Sequence, residues 1–192
     1  RIAKETNLPK ASKKLDLKGC LILPGLIDCH VHLRDQQLAY KEDFFTGTSA
    51  AAAGGVTLVL DMPNNKPVTM DTKSLRERMK LAEEQAVVNV AFYSAFPENP
   101  KEISAIVQEG AVAFKIFLSQ KIGGIDIDDD NRLLQAFKTA EKSRVPVAVH
   151  AEDREMLEKT ERKMRQDRRN DVSAYNKVHS PKAGVKAIQR II

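Results

Sequence analysis

Two histidines separated by one residue, His30 and His32, interrupt, with Asp28, an apolar run over residues 26–33. Alternate strand residues share a face, so the two imidazoles project side by side and can ligate one metal as neutral bases. A pair of hydrogen-bonded histidines would show the same spacing. Arg34 continues the parity and brings a guanidinium to that face, where its planar fork suits a substrate carboxylate; an ion pair with Asp35 is the plainer alternative. Lys115 lies inside the apolar run 112–118, where an ammonium is costly unless it is paired or loses its proton. A neutral lysine can add carbon dioxide to form a carbamate, an anionic ligand able to bridge two metals, whereas a lysine that snorkels to water keeps its charge. His150 closes the run 145–149 and, taken alone, reads as a core histidine. Asn64 follows the run 56–62, where a turn would explain it equally well.

Such residues need a frame, and the apolar patterning supplies one. Residues 26–33, 56–62, 87–95, 111–118 and 145–151 read as strands, rich in β-branched and other apolar side chains. Between them, 44–53, 74–86, 100–109 and 131–143 read as helices, the first closing at Gly54-Gly55. The strands begin about 30 residues apart, the length of one βα unit. Continuous apolar strands alternating with amphipathic helices predict a parallel sheet covered on both faces. The chemical residues then fall at the carboxyl ends of strands one, two, four and five, where barrels and open α/β sheets build their sites. No phosphate-binding glycine loop or nucleophile elbow competes, because Ala52-Ala53-Gly54-Gly55 precedes a strand instead of joining a strand to a helix.

Composition narrows the class further. With 42% hydrophobic and 30% charged residues the chain is expected to be globular, neither disordered nor membrane-spanning. The net charge of +5 is local: residues 1–18 hold six Lys or Arg against Glu5 and Asp16, which leaves +1 for the rest. Residues 1–18 therefore read as a linker or the remnant of a small flanking domain, and no nucleic-acid partner is expected. Residues 152–176 are dominated by charge, Arg154 to Arg169 carrying it at helical spacing with no aromatic residues among the bases, and read as a solvated helix. Two cysteines, Cys20 and Cys29, make no disulfide framework, which fits a reducing, cytoplasmic setting. No N-terminal signal sequence is recognisable.

The segment Pro24-Gly25-Leu26-Ile27-Asp28-Cys29-His30-Val31-His32-Leu33-Arg34, followed in order by Lys41-Glu42-Asp43-Phe44, Gly47-Thr48, Ala52-Ala53-Gly54-Gly55-Val56-Thr57, Met62-Pro63-Asn64, Phe114-Lys115-Ile116-Phe117 and Val149-His150-Ala151-Glu152-Asp153, resembles the cyclic amidohydrolases, most closely the dihydroorotase family. The resemblance runs from residue 19 to residue 192. It implies an α/β fold, the (β/α)₈ barrel of the metal-dependent amidohydrolases, here an incomplete barrel covering about strands one to five, since a full barrel needs about 250 residues. It also implies a cofactor of two divalent metal ions, zinc in most members, with His30 and His32 on one metal, His150 on the other and a carboxylated Lys115 between them. Arg34 and Asn64 would hold the substrate carboxylate. The reaction implied is reversible hydrolysis of the cyclic amide of dihydroorotate to N-carbamoyl-aspartate, in pyrimidine synthesis. The partners expected are that small molecule and, beyond it, a second copy of the chain or another enzyme of the same pathway; no membrane is involved.

Two departures from the family pattern bear on this. Asp35 is followed by Gln36-Gln37 where the family commonly has Pro-Gly, and the family's fourth histidine and catalytic aspartate lie beyond strand five, the aspartate past residue 192. His179 follows the charged helix instead of ending an apolar strand, so it is not taken as the missing ligand. The alternatives are an allantoinase or hydantoinase, which share the metal motifs but usually lack the arginine after the histidine pair, a catalytically inactive amidohydrolase-like scaffold, and a small α/β binding protein with an open sheet.

Overall fold

The computed structural model describes Lys4 and residues 7–192. Part of the proposed linker, residues 1–3, 5 and 6, lies outside the described residues. Five strands, β1 (Leu26–Val31), β2 (Val56–Asp61), β3 (Asn89–Ala95), β4 (Ala111–Phe117) and β5 (Val147–His150), pair in sequence order, all parallel. The sheet curls strongly into an open half-barrel, an incomplete (β/α)₈-type barrel as expected. Four helices connect the strands: α1 (Phe44–Ala53), α2 (Thr72–Gln85), α3 (Ile103–Glu109) and α4 (Asp130–Lys142). Three more follow β5: α5 (Arg154–Gln166), α6 (Val172–Val178) and α7 (Pro181–Ile191).

Local chemistry explains these boundaries. Asp43 and Asp71 cap α1 and α2 in reciprocal capping boxes with Thr46 and Ser74, and Asp129, Asp153 and Asp171 accept from first-turn amides of α4, α5 and α6. Each carboxylate satisfies orphan N–H groups and faces the positive end of its helix. At the far end of α3, Gly110 takes φ +127°, open to glycine at little cost, and turns the chain straight into β4. The predicted helix over 100–109 is a single 3₁₀ turn, Pro100–Glu102, running into α3. The charged helix is α5, where Met164 is the one buried side chain.

The helices cover one face of the sheet. There Val59, Phe92, Phe114 and Ile116 pack against Leu75 and Ala82 of α2, Ile103 and Ile106 of α3, and Leu133 and Ala136 of α4. Phe96 and Phe114 stack with centroids 4.8 Å apart. The concave face carries a smaller cluster made by strands alone, Met62, Tyr93 and Ala113 with Leu60 and Ala148. The expectation of helices on both faces is thus corrected: curling turns one face inward, so the strands are apolar on both sides while helices occupy only the convex one.

Candidate active site

The concave face and the carboxyl ends of the strands hold the candidate residues. Asp28 pairs with Val59 but Val31 with Asp61, so β1 carries one extra residue there, a bulge that re-aims the chain just before the histidines. His30 and His32 end with ring centroids 5.3 Å apart. Burial holds both imidazoles below their usual pKa. Lys115 and His150 add to the effect at His30, and Arg34, His30 and Lys115 at His32. The four proposed ligands therefore share one electrostatic neighbourhood, and His30 and His32 are biased toward the neutral form that ligates metal.

Lys115, on β4, is only 3% exposed. No described residue forms an ion pair or hydrogen bond with its amine, which lies 5.1 Å from the centroid of the Phe117 ring, and burial alone lowers its pKa. That environment favours the neutral form of an amine over the charged one. His150 ends β5 as expected, its ring 6.0 Å from that of Phe117. Its Nε2 is 2.6 Å from Glu152 Oε2, while the other Glu152 oxygen takes His179 Nδ1 at 2.8 Å. Burial raises the Glu152 carboxyl, but the hydrogen bonds of His179 and His150 outweigh it and hold the group below the usual carboxylate range. Among the described residues no group of three His, Cys, Asp or Glu is gathered closely enough to hold a metal. The imidazole pair shares its electrostatic surroundings with Lys115, and His150 is turned toward Glu152.

Arg34 departs from the strand parity expected of it. β1 ends at Val31, and Arg34, Asp35 and Gln36 take φ of 51°, 54° and 49°, a left-handed run without glycine that costs about 1–2 kcal/mol per residue. The Arg34 guanidinium donates through Nη1 to the Asn64 carbonyl at 3.1 Å. It makes no ion pair with Asp35, whose carboxylate accepts from the Gln36 and Phe44 amides. Asn64 also meets His32, Nδ1 to Oδ1 at 2.7 Å. A proton on Nδ1 donated to Asn64 leaves Nε2 as the free base, so Asn64 orients the His32 ring while its amide nitrogen is left to donate elsewhere.

Beneath these loops lies a group that sequence reasoning missed. Arg78 of α2 is 1% exposed and donates from Nε and Nη2 to Asp61 Oδ2 at 2.9 and 2.7 Å, with Phe44 under its guanidinium at 4.3 Å. Its Nη1 donates to the Arg34 carbonyl at 2.7 Å, and the second Asp61 oxygen accepts the Leu33 amide at 2.9 Å. With the Asn65 amide oriented to satisfy its neighbours, Asn65 Oδ1 also lies 2.6 Å from Arg78 Nε. The available signal was Asp61 itself, an acid inside an apolar strand.

An incomplete (β/α)₈-type barrel with its polar residues gathered at the carboxyl ends of the strands has the layout of a barrel enzyme. The chain belongs to the amidohydrolase family, whose sequence model matches residues 21–191. It is 36% identical over 182 residues to a dihydroorotase of Methanothermobacter thermautotrophicus, covering 95% of this chain and 40% of that protein. It is 30% identical over 187 residues to an allantoinase of Deinococcus radiodurans, covering 95% and 41%. Among solved structures, the L-hydantoinase (dihydropyrimidinase) of Arthrobacter aurescens superposes with a TM-score of 0.89 at 28% identity, over 100% of this chain and 43% of that one. The chain thus spans about two-fifths of the length of the relatives it matches. No helix among the described residues is long and apolar enough to cross a membrane.

Proposed function

We propose that this chain contributes the first five strands of a metal-dependent cyclic-amide hydrolase, with residues 19–192 forming the N-terminal portion of the barrel and residues 1–18 linking it to a small flanking domain. The observation that carries the reading is Lys115, a largely buried residue whose amine has no ion-pair or hydrogen-bond partner among the described residues, beside the His30 and His32 imidazoles. In its neutral form, which burial favours, that amine adds to carbon dioxide and releases a proton, giving a carbamate that, with His30, His32 and a reoriented His150, would hold two divalent metals, zinc by the family's habit. When bound, the metals lower the pKa of water and polarise the amide carbonyl. Asn64 fixes the tautomer of His32, and Lys115 is walled by Phe117 against competing acceptors. No residue of this chain is assigned as the proton shuttle.

Dihydroorotate is the substrate this reading favours, because Arg34 and the free Asn64 amide stand together where a substrate carboxylate would be held. A hydantoin or allantoin is the second reading, supported by the close superposition on the L-hydantoinase and the similarity to the allantoinase. The experiment is to assay the intact, metal-loaded protein against dihydroorotate, allantoin and hydantoin. Turnover of dihydroorotate that is lost in His30→Ala and Lys115→Ala supports the first reading; turnover of allantoin or hydantoin alone replaces it with the second. No turnover of any, with metal bound, rejects both.

A further inference from the structure

We propose that Arg78, which reaches no part of the concave face, is a positioning residue that sets the two loops of the carboxylate grip; the inference rests on the reading of Arg34 and Asn64 given above. The guanidinium has five N–H donors in a fixed plane, and the structure directs them to three segments at once. Nε and Nη2 grip Asp61 at the end of β2, Nη1 holds the carbonyl of Arg34, and Asn65, adjacent to Asn64, closes on Nε. Asp61 completes the frame by accepting the Leu33 amide, so the residues on either side of the turn are tied to the same buried pair. The tie matters because Arg34, Asp35 and Gln36 lie in positive-φ backbone; the Asp35 carboxylate braces its far end on the Gln36 and Phe44 amides, and Arg78 holds the Arg34 end. Without Nη1 on its carbonyl, Arg34 can relax to negative φ, which would swing its guanidinium off the Asn64 carbonyl. A surface role does not explain a fully buried ion pair, which on its own is weak evidence for stability. Its contacts account for it as a clamp on functional loops.

The test separates positioning from folding. In the intact, metal-loaded protein, Asp61→Leu/Arg78→Met replaces the pair by apolar groups of similar volume, an exchange that buried ion pairs often tolerate, and Arg78→Lys keeps a charge on Asp61 but cannot span all three partners. The expected result is a KM for dihydroorotate raised at least 10-fold in the double variant and by an intermediate factor in Arg78→Lys, with metal content unchanged. A merely structural defect lowers the fraction of active protein, and so kcat, while leaving KM alone. Arg34→Gln is the control: added to the double variant it should raise KM no further. If Arg34→Gln leaves KM unchanged, the carboxylate-grip reading fails and takes this inference with it. If Arg34→Gln raises KM but the double variant and Arg78→Lys stay within twofold of the parent, or if the effects multiply, the inference alone is overturned. Should the double variant not fold, Arg78→Lys decides.

Discussion

Replacing Lys115 by Met should make the metal-free protein more stable and the metal-loaded one inactive, opposite signs that a structural lysine could not produce. Residue 115 is 3% exposed and its amine has no ion-pair or hydrogen-bond partner among the described residues, yet the nitrogen is not sealed from solvent, so folding strips part of its water and returns no protein acceptor. Leaving a sealed donor unsatisfied costs about 1–3 kcal/mol, and a partly hydrated one lies at the low end of that range. The Phe117 face, 5.1 Å from the amine, returns about 0.5–1 kcal/mol of this when the lysine is charged. Met fills nearly the same stem volume with no donor, so the net expectation is a gain of about 0.5 kcal/mol in the apoprotein. The assay is urea denaturation of chelator-treated protein, parent against variant, with metal per chain measured on the untreated samples. The variant should unfold at higher urea and bind less metal. A variant that unfolds at lower urea, or that keeps the parent's metal content, would refute the reasoning, since Lys115 would then be stabilising the fold or be no ligand.

Phe114, fully buried and stacked on Phe96 between the sheet and its helices, is the most sensitive apolar position: Phe114→Ala should cost about 3–5 kcal/mol, read as a lowered urea midpoint, and a loss under about 1 kcal/mol would contradict the packing described. Asp171 caps α6 and is held by Arg169, which brings its pKa down to about 2 from 3.8. Because the folded pKa is depressed, its contribution is fully present above 3.8 and is lost as the pH falls through about 2. The amide resonance of Ala174, which donates to Asp171, should therefore shift with a midpoint near the lower value, and a midpoint near 3.8 would show that the cap does not form in solution.

What was legible in the sequence was whatever breaks a pattern. His30, His32, Lys115 and His150 are polar groups in apolar strands, and the structure places each at the carboxyl end of its strand, on the concave side of the sheet or at its mouth. The βα rhythm was legible for the same reason, and the boundaries of the five strands and of the four helices between them agree within two or three residues, whereas the charged stretch 152–176, read as one solvated helix, breaks at residues 167–171 between α5 and α6. Helices α6 and α7 were not seen, because their buried positions are Ala174, Ala183 and Ala187, too small to stand out among charges. The fate of Glu152 was equally hidden: only the fold of the chain after α5 brings His179 back to share its carboxylate with His150.

Asp61 shows where the limit of pattern reading lies. It breaks an apolar strand as plainly as Lys115 does, yet the residue that explains it sits on α2, in a helix where Lys73, Arg76, Arg78 and Lys80 look alike in sequence. Only the direction each faces separates them: Arg76 meets Glu109 at the surface, while Arg78 is driven inward over the Phe44 ring. A helix period can mark position 78 as facing the sheet along with Leu75 and Ala82, and a basic residue at such a position, opposite an acid in the adjoining strand, predicts a buried pair. The backbone of residues 34–36 offers no such route. Three successive non-glycine residues at positive φ run against local preference, and they are legible only through the tertiary hydrogen bonds that hold them. The position of Arg34 is therefore a property of the assembled loops and of the buried pair beneath them, and strand alternation, which correctly aligned His30 with His32, had no means of supplying it.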